Sequence, residues 1–75
     1  MDKITTMEDR PPTLEEAQGI VEGYVERLTL PDGSQMLVNE EGLLKGMPVN
    51  RTASLIAGMN IVGPVLILRG KARWK

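Results

Sequence analysis

The segment from Tyr24 to Asn39 constrains the fold more than any other part of the chain. Tyr24 to Leu30 alternates, with Tyr24, Leu28 and Leu30 on one face and Arg27 and Thr29 on the other. Pro31-Asp32-Gly33 then supplies a turn, because proline presets φ and glycine accepts a positive one. Ser34 to Asn39 returns as a second alternating run, with Met36 and Val38 on one face and Gln35 and Asn39 on the other. Two such runs joined by this turn predict a β-hairpin.

Helix signals flank the hairpin. Pro11-Pro12 stiffens the chain and blocks any earlier helix, and Thr13-Leu14-Glu15-Glu16 matches the capping-box pattern. Leu14, Ala17, Ile20 and Val21 form an apolar stripe, predicting a helix over about 13–22 that stops at Gly23. Asn39-Glu40-Glu41-Gly42 reads as a second turn, and Leu43 to Pro48 as irregular chain or a short strand. Asn50 suits the N-cap of a short helix from Arg51 to Ala57, ended by Gly58, with Ala53, Leu55, Ile56 and Ala57 as its buried side. A last strand starts near Asn60-Ile61-Val62, and Gly63-Pro64 marks a bulge or an edge position in it. The expected fold is α+β: a small three- to four-stranded antiparallel or mixed sheet with a β-hairpin and two short helices on one face. Residues 1–12 are expected as a flexible N-terminal arm, 13–68 as a single α+β domain, and 69–75 as a basic C-terminal tail or strand extension. Exposed sheet edges make a homodimer an expectation too.

Composition narrows the chemistry. A chain of 75 residues buries only about 60% of the surface it exposes when unfolded, so its core is small. That core must be aliphatic, since Phe is absent and Tyr24 and Trp74 are the sole aromatics. Without Cys there is no disulfide framework and no thiolate zinc site, and without His the usual general base and transition-metal ligand are missing. No carboxylate spacing resembles a calcium loop, and the glycines form no phosphate-binding fingerprint but punctuate turns. The first twelve residues lack the apolar stretch of a secretory signal, and the longest apolar run, Val65 to Leu68, is too short to cross a bilayer. The expectation is a non-enzymatic protein that uses no cofactor, meets no membrane and works in the cytoplasm.

Charge is sorted by half. All ten acidic residues lie between Asp2 and Glu41, giving residues 1–41 a sum of −7, whereas residues 42–75 carry no acidic side chain and sum to +6. From Val65 the chain alternates in period two: Leu66, Leu68, Gly70, Ala72 and Trp74 fall on one side, and Arg69, Lys71, Arg73 and Lys75 on the other. On a helix these residues would step about 200° apart and scatter. The pattern therefore predicts an extended tail, or a strand outrunning the core, that presents its cations on one face.

Taken together, Gly23-Tyr24-Val25-Glu26, Leu30-Pro31-Asp32-Gly33, Asn39-Glu40-Glu41-Gly42, Met47-Pro48-Val49-Asn50 and Val62-Gly63-Pro64 form an ordered set of turns. In order and spacing, this set resembles the small phage- and plasmid-borne family catalogued as domain of unknown function 3846. The resemblance covers roughly Ile20 to Leu68, rests on turn chemistry, and implies no reaction or ligand. It implies a mobile-element accessory protein in the host cytoplasm, a class that often acts by binding host factors. It gives no account of Arg69 to Lys75.

That tail is the first candidate site: Arg69, Lys71, Arg73, Trp74 and Lys75 as partner-binding residues, with the indole as anchor and the cations pairing with carboxylates or phosphates. An acidic host protein is the expected partner, a calmodulin-like groove being one concrete form, reached by strand addition or refolding of the tail. Weak nucleic-acid binding is a further alternative, disfavoured by the net charge of −1 and by the lack of a second aromatic among the cations. The other alternative is a small anionic ligand or nucleotide at Asn50-Arg51-Thr52, where helix amides and Arg51 would hold it. Glu15, Glu16, Glu22, Glu26, Glu40 and Glu41 read as a solvated acidic face, with a capping role for Glu16.

Overall fold

Val65-Leu66-Ile67-Leu68 forms the most enclosed strand of the sheet, with every residue buried. The computed structural model describes residues 2–75. In chain order its elements are β1 (Ile4–Met7), α1 (Leu14–Val21), β2 (Val25–Thr29), β3 (Gln35–Asn39), α2 (Arg51–Ala57) and β4 (Val65–Leu68), followed by a 3-10 turn at Gly70–Ala72. The four strands make one mixed sheet in the order β1-β4-β3-β2. β1 runs parallel to β4, while the β2–β3 and β3–β4 pairs are antiparallel. The result is an α+β fold with the expected hairpin, in which Val25 pairs with Asn39 and Thr29 with Gln35.

Both faces of the sheet are covered. Met36, Val38, Val65 and Ile67 pack with Ala53 and Ala57 of α2, while Leu37, Leu66 and Leu68 pack with Ala17 and Val21 of α1. The two helices, expected on one face, thus divide between the two. A continuous apolar run such as Val65 to Leu68 marks a strand buried on both sides, and it needs a cover for each.

The N-terminal arm is also not as expected: Ile4–Met7 is a sheet strand, paired in register with Val65–Leu68. The Val65 amide donates to the Lys3 carbonyl at 3.1 Å and the Arg69 amide to the Met7 carbonyl at 2.9 Å. Ile4, Thr5 and Thr6 are β-branched and fit a pleated surface, which outweighs the polar flanks that made the segment read as mobile.

Both helices begin as the residues dictate. Thr13 caps α1, its hydroxyl accepting from the Glu16 amide at 3.1 Å while Glu16 Oε1 accepts from the Thr13 amide at 2.9 Å. The stop comes one residue before the expected glycine, with Glu22 in the left-handed region at φ 66°. Gly23 serves close approach instead, since a Cβ there would lie 2.6 Å from the Asn39 side-chain nitrogen. That nitrogen donates to the Val21 carbonyl at 3.0 Å, tying β3 to the end of α1. α2 matches its expected limits, with Asn50 as N-cap and Gly58 left-handed at φ 71°, but its expected buried side does not hold: Ala53 and Ala57 face the sheet while Leu55 and Ile56 are exposed.

Candidate partner-binding site

The basic segment 69–75 leaves β4 and crosses the end of the sheet towards β2. β4 stops at Leu68, and Gly70 turns the chain at φ 54° into the 3-10 turn, so the expected strand extension does not form. The in–out alternation breaks at Gly70, which is exposed, and holds from Lys71 to Lys75. Arg69, Lys71, Arg73 and Lys75 are exposed, Ala72 is fully buried and Trp74 half-buried. An apolar residue on every second position can be buried by a turn that folds back, without a ladder.

Side-chain hydrogen bonds clamp this segment. Gln35 Nε2 donates to the Trp74 carbonyl and the Trp74 amide donates to Gln35 Oε1, both at 2.7 Å. Arg27 on β2 donates from Nη1 to the Lys75 carbonyl at 3.2 Å. Arg73 donates from Nε to the Gly70 carbonyl at 3.1 Å and from Nη1 to the Gly33 carbonyl of the hairpin turn at 3.3 Å. Trp74 Nε1 donates to the Pro12 carbonyl at 3.0 Å, and the indole packs with the cluster of Ala17, Val21 and Leu37. Trp74 was expected as a partner's anchor. It instead fastens the C-terminal segment to the start of α1, because most of its surface and its one side-chain donor are spent inside the molecule.

Among the described residues none of the four cations has an ion-pair partner. Among the described residues the one ion pair is Arg10–Glu16 at 2.8 Å, far along the chain from the basic segment. Arg69 comes nearest to compensation. Asp32 is held below the usual carboxylate value first by the Ser34 hydroxyl and amide, and to a lesser degree by the Arg69 charge. Arg27, Arg73 and Lys75 gather at the β2 corner, joined through the Lys75 carbonyl and the hairpin turn. Arg27 and Gln35 were not singled out from the sequence. Both are polar residues of one parity on the hairpin, so they share a sheet face, and that is the signal that could have found them.

The Asn50-Arg51-Thr52 site is already filled. Asp2 lies against it, and its Oδ2 accepts from both the amide and the hydroxyl of Thr52 at 2.9 Å. These bonds hold the Asp2 carboxyl below its ordinary value, the Thr52 amide contributing most. The chain supplies its own anion to the helix start, so the expected ligand has no place there. Asn50 is 3% exposed and structural: Oδ1 accepts from the Ala53 amide at 3.1 Å, and Nδ2 donates to the Lys3 carbonyl at 3.1 Å and the Gly63 carbonyl at 2.9 Å. Glu16 has the capping role expected of it. Bonds from Arg10, and then from the Thr13 amide, pull its pKa down to about 2.

Fold and surface together define a small α+β domain with a mixed sheet, a helix on each face, and an ordered basic segment closing one end. The chain belongs to the family described as Domain of unknown function (DUF3846), whose model matches residues 2–74. That span takes in β1 and nearly all of the basic segment, beyond the Ile20 to Leu68 stretch that carried the resemblance. No curated protein and no solved structure matches the chain. No helix among the described residues is long and apolar enough to cross a membrane.

Proposed function

We propose that this protein is a non-enzymatic interaction module that holds an acidic protein partner against its basic C-terminal end. One observation carries the reading: Arg69, Lys71, Arg73 and Lys75 stand exposed and without ion-pair partners on a backbone already fixed by side-chain bonds. A backbone already fixed has little freedom left to lose on binding, and unpaired charges have no internal partner to give up. The partner docks onto an ordered surface, with no refolding of the tail into a groove. In the mobile-element setting, that partner is an acidic protein of the bacterial host, bound and modulated in its cytoplasm.

Lys71 and Lys75 make no side-chain hydrogen bond, so their charges can be reversed without touching the clamp. Affinity capture from bacterial lysate with the full chain should retain acidic proteins that a Lys71→Glu/Lys75→Glu double variant does not. The same captured set from both chains would overturn the reading. Capture of nucleic acid alone, with affinity falling steeply as salt rises, would replace it with a nucleic-acid binder.

A further inference from the structure

β2 is an edge strand, and among the described residues none pairs with its outer side. In an antiparallel ladder, residues alternate between bonding the neighbour and pointing their amide and carbonyl away from it. The Glu40 amide donates to the Tyr24 carbonyl at 2.8 Å and the Leu30 amide to the Ser34 carbonyl at 2.8 Å, so the even positions of β2 face β3. Val25, Arg27 and Thr29 therefore direct their backbone groups outward, and no side chain among the described residues bonds to them. This is an open template for one more strand.

The two sides of that template differ. On the α2 side lies a shallow groove of about 160 Å³, with Leu28, Val38 and Ile61 along it and Leu43 and Met59 on its rim. Leu43 is 75% and Met59 54% exposed, so the rim is apolar and uncovered. On the α1 side the same edge carries Arg27, with the backbone of Lys75 held against its guanidinium and Arg73 at the adjoining turn.

From this juxtaposition we infer that the β2 edge takes an extended segment of the partner, in which apolar and acidic residues alternate. Side chains of an added strand alternate between the two faces. One set enters the groove beside Leu28, and the other meets Arg27, Arg73 and Lys75. Glu26 and Glu40 line the same groove and repel carboxylates from it, which fixes the register of the alternation. A second copy of the chain fits poorly. A two-fold pairing that overlaps all five residues of β2 sets Arg27 directly opposite its own copy, and like charges so placed are destabilising.

The inference rests on the acidic-partner reading, and one titration separates the two. The probes are a blocked octapeptide of alternating valine and glutamate and an isomer with its four valines grouped before its four glutamates. Calorimetry with the full chain should show the alternating peptide binding about tenfold tighter. Amide exchange at Val25, Arg27 and Thr29 should slow when it binds. Thr29→Pro removes an outward donor while leaving the β2–β3 bonds, and it should abolish the preference. N-methylation of alternate peptide amides should do the same without altering the protein. Equal affinity for the two peptides, or no slowing at those amides, overturns the edge assignment. If both peptides then still weaken with Lys71→Glu/Lys75→Glu, the acidic-partner reading stands. Indifference of both peptides to that reversal sinks the acidic-partner reading itself. Slowing at the same amides that grows with protein concentration, without peptide, also overturns the inference by showing a second copy on the edge.

Discussion

Replacing Asn50 tests how the fold is held together, and the size of the effect follows from its three bonds. The side chain caps α2 through the Ala53 amide and ties Lys3, next to β1, to Gly63, next to β4. Losing a cap costs about 1 kcal/mol, and each lost hydrogen bond about as much again, so Asn50→Ala should cost about 3 kcal/mol. A chain of 75 residues has roughly 4–11 kcal/mol in all, so the loss is a large share. At about 4–8 °C per kcal/mol for a domain of this size, the thermal midpoint should fall by roughly 12–24 °C. Asn50→Asp is the sharper variant. It keeps the acceptor for Ala53 but sets a carboxylate against the buried Gly63 carbonyl and the part-buried Lys3 carbonyl, and should be at least as damaging as alanine at neutral pH. Thermal and urea unfolding followed by circular dichroism measure both. An aspartate variant within 0.5 kcal/mol of the parent, a margin typical of inconsequential surface changes, would refute the reasoning. It would show that the cap matters and the two bridges do not.

Three further outcomes follow from single contacts. Trp74→Phe should cost about 1 kcal/mol for the lost bond to Pro12, and Trp74→Ala about 2–3 kcal/mol with the half-buried ring removed as well; an unchanged urea midpoint in Trp74→Ala would show the segment is not fastened. Glu16 has its pKa depressed to about 2, so its stabilisation is complete above the ordinary carboxylate range and is lost as pH falls from about 4.5 towards 2; Glu16→Gln should flatten the urea midpoint over that window, and an identical pH profile would argue against the cap and the Arg10 pair. Glu22 occupies a left-handed position that costs a non-glycine residue about 1–2 kcal/mol, so Glu22→Gly should raise stability by roughly 1 kcal/mol, and a lower midpoint would count against this.

Local chemistry was readable wherever neighbouring residues decide the outcome. The capping box at Thr13, the Pro31-Asp32-Gly33 turn and the Asn50 to Gly58 helix all stand where their residues put them. What sequence could not supply was partnership between distant segments. β1 exists because Val65–Leu68 offers it a parallel neighbour some sixty residues away, and nothing in Ile4–Met7 alone announces that pairing. The four-residue apolar run Val65 to Leu68 announces a strand covered on both faces, which a period-two reading with one inward side does not capture. The basic segment was half legible. Alternation gave the exposed cations and the buried Ala72, but not the turn at Gly70 or the fate of the indole, which depends on Gln35 and on Pro12. Asp2 illustrates the same limit: a charge in an apparent arm fills the helix start that looked open to a ligand.

The most direct test of the account is a nuclear magnetic resonance titration of the isotope-labelled chain with an acidic protein that it captures. The clamped-surface reading requires the amides of Arg69, Lys71, Arg73 and Lys75 to shift together while the Trp74 indole proton stays protected on Pro12. Release of that indole proton into fast exchange, or shifts confined to a region away from residues 69–75, would contradict it.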